Sequence, residues 1–294
     1  MNVLGTLNLW LLRLLQRIDP DRGGAFAGWL MRRIGPRLRG HQVASAQLAM
    51  AFPEKTEAQR AEILAGMWDN FGRLSVEYAH LDRLWDYDPS KPPGRIYMDA
   101  KTVERFKRLG EDRRPALFFT AHLANWELVA LAGSSVGREV AVVFRAPRFG
   151  SFTQALAAAR TARIAAFIPA GPEAPLRIRE ALKRNWIVGM LIDQHAVRGV
   201  DAMYFGRSCK VNPMLARFAR RLECPIYGAR VIRLPNGRFR FEITEPLDPP
   251  RHRQDVRRAL RRLGQGDPRQ LPGRRRRRAR QGPTPRRTHH ACGA

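Results

Sequence analysis

The sequence predicts an α/β domain, a mixed central sheet covered by helices, preceded by an amphipathic N-terminal helix. Three observations carry this. Short apolar runs at residues 116–120, 140–144, 187–192, 226–232 and 239–243 alternate with helical segments, the pattern of strands covered by helices. A capping box opens a long helix well before the first of those runs. Residues 4–18 carry a helical apolar stripe.

In that first segment Leu4, Leu7, Leu11, Leu14 and Ile18 recur at intervals of three and four, with Trp10 and Leu15 flanking them. Asn2, Thr6, Arg13 and Arg17 project from the other side. The apolar stretch 3–15 contains Asn8 and Arg13 and falls short of the ~20 residues that span hydrocarbon. An interfacial helix on a membrane surface fits best; a helix packed on a soluble core gives the same pattern. No basic stretch precedes it and no small-residue cleavage site follows, so it does not read as a secretory signal. Residues 25–34, with Trp29, offer a second apolar contact surface. These segments make residues 1–40 a membrane-associating unit.

The main domain is expected at 41–250. Thr56, Glu57, Ala58 and Gln59 form the capping box, and the stripe Leu64, Met67, Phe71, Leu74 and Tyr78 is read as core packing ahead of a lipid groove. The segment 89–94, with Pro92 and Pro93, is a connector into the sheet-forming half. Pro235, Asn236 and Gly237 separate the last two strands and predict a hairpin.

Composition narrows the partners. The chain of 294 residues is 44% hydrophobic, enough for one sizeable core, and carries a net charge of +27. Residues 251–294 contribute 15 arginines against Asp255 and Asp267, which leaves the preceding 250 residues at +14. Such a surface favours anionic partners, whether phosphorylated glycolipid, anionic membrane, acidic carrier protein or nucleic acid. No zinc-finger spacing, aromatic RNA-binding motif or basic zipper is present, so no nucleic acid is expected. Cys209, Cys224 and Cys292 are widely spaced, which indicates neither a disulfide framework nor a thiolate metal site.

Chemistry concentrates after the first strand, where His122 and Glu127 form a His-x4-Glu pair. Five residues of helix rotate by about 500°, leaving the two side chains roughly 140° apart, so one straight helix cannot join them. With His122 on the turn after the strand and Glu127 in the next helix's first turn, the carboxylate can reach an imidazole nitrogen. There it would fix the tautomer and stabilise the imidazolium, which is general-base chemistry on a hydroxyl. An isolated pair at this spacing is as well explained by a polar loop and a solvated helix. A rival motif, Gly133-Ser134-Ser135-Val136-Gly137, matches a hydrolase nucleophile elbow, but that turn needs a strand before it and a helix after it. Here the order is reversed, so a helix-to-strand turn is predicted.

Further blocks follow His122–Glu127 in order: Phe144-Arg145-Ala146-Pro147, Arg160 ahead of Phe167-Ile168-Pro169, Met190-Leu191-Ile192-Asp193-Gln194, Tyr204-Phe205-Gly206-Arg207 and Cys224-Pro225-Ile226-Tyr227. With them, the chain from about Leu7 to Leu247 resembles the late, lauroyl/myristoyl-type lipid A acyltransferases of the lysophospholipid-acyltransferase superfamily. The resemblance implies a glycerolipid-acyltransferase-like fold. It also implies transfer of a fatty acyl chain from acyl carrier protein to a hydroxyl of a Kdo-bearing lipid A precursor. The setting it implies is the cytoplasmic face of a Gram-negative inner membrane, with no metal or cofactor. His122 and Glu127 would be the catalytic pair and Arg160 the oxyanion stabiliser. Asn125, Arg145 and Asp193 would support the site or bind substrate. An acyltransferase for another glycolipid or a lysophospholipid is the nearest alternative; a non-enzymatic basic protein that binds membrane or nucleic acid is the other.

Two departures from the family pattern stand out. A glycine expected around Arg163–Ala166 is missing, and the Trp-containing ending is absent after about Leu260. Residues 251–294 instead lack Trp, Tyr and Phe and run five arginines together at 274–278. They are expected to be a disordered arginine-rich tail, the composition an out-of-frame stretch would produce; a polybasic segment that attaches to anionic lipid or contacts nucleic acid is the alternative.

Overall fold

The computed structural model describes residues 15–144, 164–194, 196 and 199–247. Of the predicted interfacial stripe, Leu4 to Leu14 lie outside this range, as do Arg145, Arg160 and the arginine-rich tail.

Helix α1 (Pro20–Ile34) starts where Asp19 accepts hydrogen bonds from the amides of Asp21 (3.1 Å) and Arg22 (2.9 Å), with Pro20 at its first position. After α2 (Arg39–Ala51) comes α3 (Glu57–Glu77). The predicted capping box is present, with Thr56 Oγ1 accepting from the Gln59 amide at 3.2 Å and Gln59 Oε1 from the Thr56 amide at 2.9 Å. The predicted core stripe of α3 needs correction. Leu64 and Leu74 are buried, but Met67 and Phe71 are 39% and 52% exposed. The inward row is instead Leu64, Trp68, Gly72 and Val76, spaced by four. That spacing lets α1 cross closely, and a Cβ on Gly72 would stand 2.3 Å from the Ala27 carbonyl oxygen.

The short helix α4 (Leu81–Leu84) leads to strand β1 (Ile96–Tyr97), helix α5 (Ala100–Glu111) and β2 (Ala116–Thr120). Helix α6 (Glu127–Ser135) then precedes β3 (Val140–Phe144), and β4 (Ala166–Pro169), α7 (Ala174–Lys183) and β5 (Ile187–Leu191) follow. A separate hairpin, β6 (Val200–Tyr204) and β7 (Arg207–Val211), precedes α8 (Met214–Leu222), β8 (Ile226–Arg233) and β9 (Phe239–Ile243).

Among the described residues, seven strands form one sheet in the order β1-β9-β8-β2-β5-β3-β4. Neighbours pair in parallel except β8 with β9, which are antiparallel, so the sheet is mixed, as predicted. The turn joining β8 to β9 has Asn236 and Gly237 at φ +59° and +64°, the left-handed pair that a tight hairpin requires. All five predicted runs are strands. Strands β1 and β4 are too short to show a period, and the hairpin β6–β7, with little beyond Ala202 buried, lacks a run of apolar residues.

Both faces of the sheet are covered, which is why its central strands read as continuous apolar runs. Ala116, Phe118, Val140 and Ile187 pack with Leu128, Leu131 and Ala132 of α6 and Phe106 of α5. Leu117, Ala141 and Val188 pack on the other face with Ile178 and Leu182 of α7. Arg138, only 5% exposed, ties the ends of this layer together. Its guanidinium donates to the carbonyls of Leu109 (3.1 Å), Arg114 (2.6 Å) and Asn185 (2.9 Å), and to that of Asp112.

Candidate active site

The parallel strands β2 and β5 end side by side, Thr120 opposite Leu191, and ligands in such sheets gather at the strands' carboxyl ends. His122 leaves β2 there, and Asp193 leaves β5. The Asp193 carboxylate accepts two hydrogen bonds of 2.8 Å from His122, one from its backbone amide and one from ring Nδ1. Burial pushes the Asp193 carboxyl up, but the hydrogen bonds from His122 outweigh it and hold the group below the usual carboxylate range. With Nδ1–H donating, Nε2 keeps its lone pair, and the Gln194 amide nitrogen lies 3.5 Å from it.

His122 sits on the turn and Glu127 at the first position of α6, where the spacing argument puts them. Nδ1 of the imidazole is engaged by a different carboxylate. The imidazole's carboxylate partner is Asp193, while Glu127 Oε1 accepts from the Tyr78 hydroxyl and the Trp126 indole N–H, each at 3.0 Å. The Trp126 ring stands edge-on to the imidazole, with ring centroids 4.8 Å apart, and its N–H points to Glu127. Trp126 thus contacts both the imidazole and the Glu127 carboxylate. The ring atom itself is held from β5.

A buried network sets the path of this loop. Ala124 adopts φ +45°, a conformation unfavourable for a residue with a Cβ, and its carbonyl accepts from Asn70 of α3 at 3.1 Å. Asn125 is fully buried; it donates to Glu77 at 2.9 Å and accepts from the Glu127 amide at 3.3 Å. Arg233, at the end of β8, pairs with Glu77 through both its terminal nitrogens and donates to Asn70 Oδ1 at 3.0 Å. Sequence reading placed Asn125 at the site but missed Asn70, Glu77 and Arg233. No local motif connects residues so far apart in the chain.

A cavity of about 490 Å³ opens at His122, Trp126 and Glu127 and runs between α6 and the sheet. Phe118, Val142 and Gly189 line it from three adjacent strands, and Val140, Ile187 and Phe106 lie deeper. A Cβ on Gly133 would stand 2.9 Å from Val140 Cγ2, so α6 seats tightly on the sheet there. By contrast, a Cβ on Gly189 would meet nothing within 4 Å. The open space lies over Gly189, ~7 Å along β5 from Leu191 at the mouth.

Other candidate chemistry falls away. Ser135 ends α6 and donates to the Ala132 carbonyl at 2.9 Å, and Gly137 follows at φ +71°, the helix-to-strand turn predicted. Burial pushes the Cys224 thiol up to about 11 and raises that of Cys209, so neither is an activated nucleophile. Among the described residues no three His, Cys, Asp or Glu side chains could hold a metal ion together.

The sequence model of the bacterial lipid A biosynthesis acyltransferases matches residues 1–265. The chain belongs to that family. No curated protein matches it. The family assigns an acyltransferase role in lipid A biosynthesis, with an acyl donor and a lipid A acceptor. Lipid A acyltransferases are membrane-associated in Gram-negative bacteria, and among the described residues no helix of this one is long and apolar enough to cross a membrane.

Proposed function

We propose that this acyltransferase moves a fatty acyl chain from acyl carrier protein to a hydroxyl of a Kdo-bearing lipid A precursor, at the cytoplasmic face of the inner membrane. The observation that carries the chemistry is an imidazole fixed at Nδ1 by Asp193 and placed at the mouth of an apolar cavity. His122 Nε2 takes the proton of the acceptor hydroxyl as its oxygen attacks the thioester carbonyl. Asp193 stabilises the imidazolium. Collapse of the tetrahedral intermediate breaks the carbon–sulfur bond, and the imidazolium returns its proton to the leaving thiolate. Attack is direct, with no acyl-enzyme. The resemblance supports Arg160 as donor to the oxyanion, where a guanidinium offers permanent charge and fixed donors, and Arg145 as a contact to phosphate.

The acyl chain occupies the cavity between α6 and the sheet, whose walls are aliphatic and aromatic. Depth then selects chain length. Gly189→Leu would fill the open space halfway down, so the preferred donor is expected to shift to a shorter chain. A donor series assayed with the purified enzyme and a lipid A precursor checks both claims. No transfer to the precursor from any donor contradicts the function, and an unchanged chain preference in Gly189→Leu contradicts the placement of the chain.

Besides the predicted interfacial stripe, α1 offers a second surface suited to membrane attachment. Phe26, Trp29, Leu30 and Ile34 of α1 are all exposed, and the Arg33 guanidinium lies 4.6 Å over the Trp29 ring, an arrangement suited to an anionic interface. Replacing Phe26 and Trp29 by Asp is expected to move protein from the floating vesicle fraction to the bottom fraction in flotation with anionic vesicles. Unchanged flotation would assign attachment to other residues.

A further inference from the structure

A second apolar groove lies beside the hairpin β6–β7. It measures about 390 Å³ and is formed by Ala44 and Leu48 of α2, Ile63 and Met67 of α3, and Tyr204 and Phe205 of the hairpin. Its position is built with some care. Phe205 and Gly206 turn the hairpin at φ +47° and +74°, and the Phe205 ring meets Phe52 edge-on at 5.0 Å. A two-stranded ribbon has little stability alone, so these contacts hold its tip against the helices and close one side of the groove.

The other end of the hairpin reaches the active site. The Ala196 amide donates to the Lys210 carbonyl at 3.1 Å, and Ala196 and Asn212 line the catalytic cavity. Burial first, and then the Asp193 carboxylate, push up the phenol of Tyr204, which lines the groove. Its edge is basic. Arg207 lines the groove and touches the Met50 sulfur, and Lys55 Nζ stands 5.8 Å over the Phe52 ring.

An apolar floor with a cationic edge, on a hairpin whose other end lies at the catalytic cavity, suits an amphiphile with a hydrocarbon chain and an anionic head. We propose that this groove holds a hydrocarbon chain already present on the acceptor lipid, with Arg207 and Lys55 toward its phosphates. The proposal rests on the acceptor being a lipid A precursor, as above. A lipid hydroxyl can reach His122 only if the chains beside it are lifted toward the protein, and each methylene left in water is unfavourable. The groove shelters one such chain while the donor's chain fills the cavity under α6. A concave site between two elements suits a single chain, whereas the exposed face of α1 suits a bilayer.

The test is photocrosslinking of the purified full-length enzyme with a lipid A precursor carrying a diazirine in one of its existing acyl chains. Crosslinked peptides are expected to span residues 44–51, 63–67 or 203–209. Ala44→Trp should fill the groove and lower that yield about tenfold, as if roughly two methylenes had been taken out of contact. Phe205→Ala, which removes the opposite wall, should lower it too and covers the case in which Ala44→Trp does not fold. Crosslinks confined to residues 26–34 would place the chain in the bilayer, and crosslinks confined to the cavity would place it with the donor. Either result, or full yield in both variants, overturns the proposal. Turnover measured on the same samples separates the two claims, because groove crosslinking without transfer would refute the proposed reaction and leave the groove standing.

Discussion

Asp193→Asn is expected to lower acyl transfer by ~10²- to 10⁴-fold, about as much as His122→Ala, the range general-base assistance supplies. An amide can present its N–H to Nδ1, which moves the ring proton to Nε2 and removes the lone pair that accepts the hydroxyl proton. Glu127→Gln should cost less than Asp193→Asn, because Nδ1 of the imidazole is held by Asp193. A larger loss in Glu127→Gln would make Glu127 the operative carboxylate. The pair also has a pH signature in stability. The carboxyl of Asp193 is depressed on folding, so its contribution is present above the ordinary range near pH ~4 and lost as pH falls through the lower folded value. The stability difference between wild type and Asp193→Asn should therefore shrink in acid.

Arg233→Met is expected to be the most destabilising single change near the site, by about 3–5 kcal/mol. Glu77, with only 7% of its side chain exposed, would lose its ionic partner and keep a buried charge. Such a loss is a large share of the ~5–15 kcal/mol that holds a domain folded. Asn70 would also lose the donor that orients its amide toward Ala124, so transfer should fall even where the variant remains folded. Adding Glu77→Leu should recover much of the stability, since it removes the stranded charge, but not the activity, since Asn125 then lacks its acceptor. Denaturant titration of wild type and the two variants checks this. An Arg233→Met variant as stable as wild type would show that the Glu77 carboxylate does not need its partner.

The fold was legible where one residue's neighbours decide its state. Each strand of the inner sheet from β2 to β9 with a clear apolar run could be read, as could the capping box at Thr56 and the turn at Asn236-Gly237, because these depend on local pattern. Contacts across the chain could not. His122 and Asp193 are 71 positions apart, and only the parallel pairing of β2 with β5 brings them together. Spacing thus pointed to Glu127, which is near in sequence, and Asp193 was placed near the pair only through the family resemblance. The outward turn of Met67 and Phe71 was hidden for a related reason: the side of α3 that faces inward is set by the close crossing of α1 at Gly72.

The most direct test of the central claim is mass spectrometry of lipid A from cells with and without the gene, complemented by wild type, His122→Ala or Asp193→Asn. The account predicts that lipid A loses one secondary acyl chain without the gene, regains it with wild type, and does not regain it with either variant. Unchanged lipid A in the absence of the gene, or full restoration by His122→Ala, would contradict it.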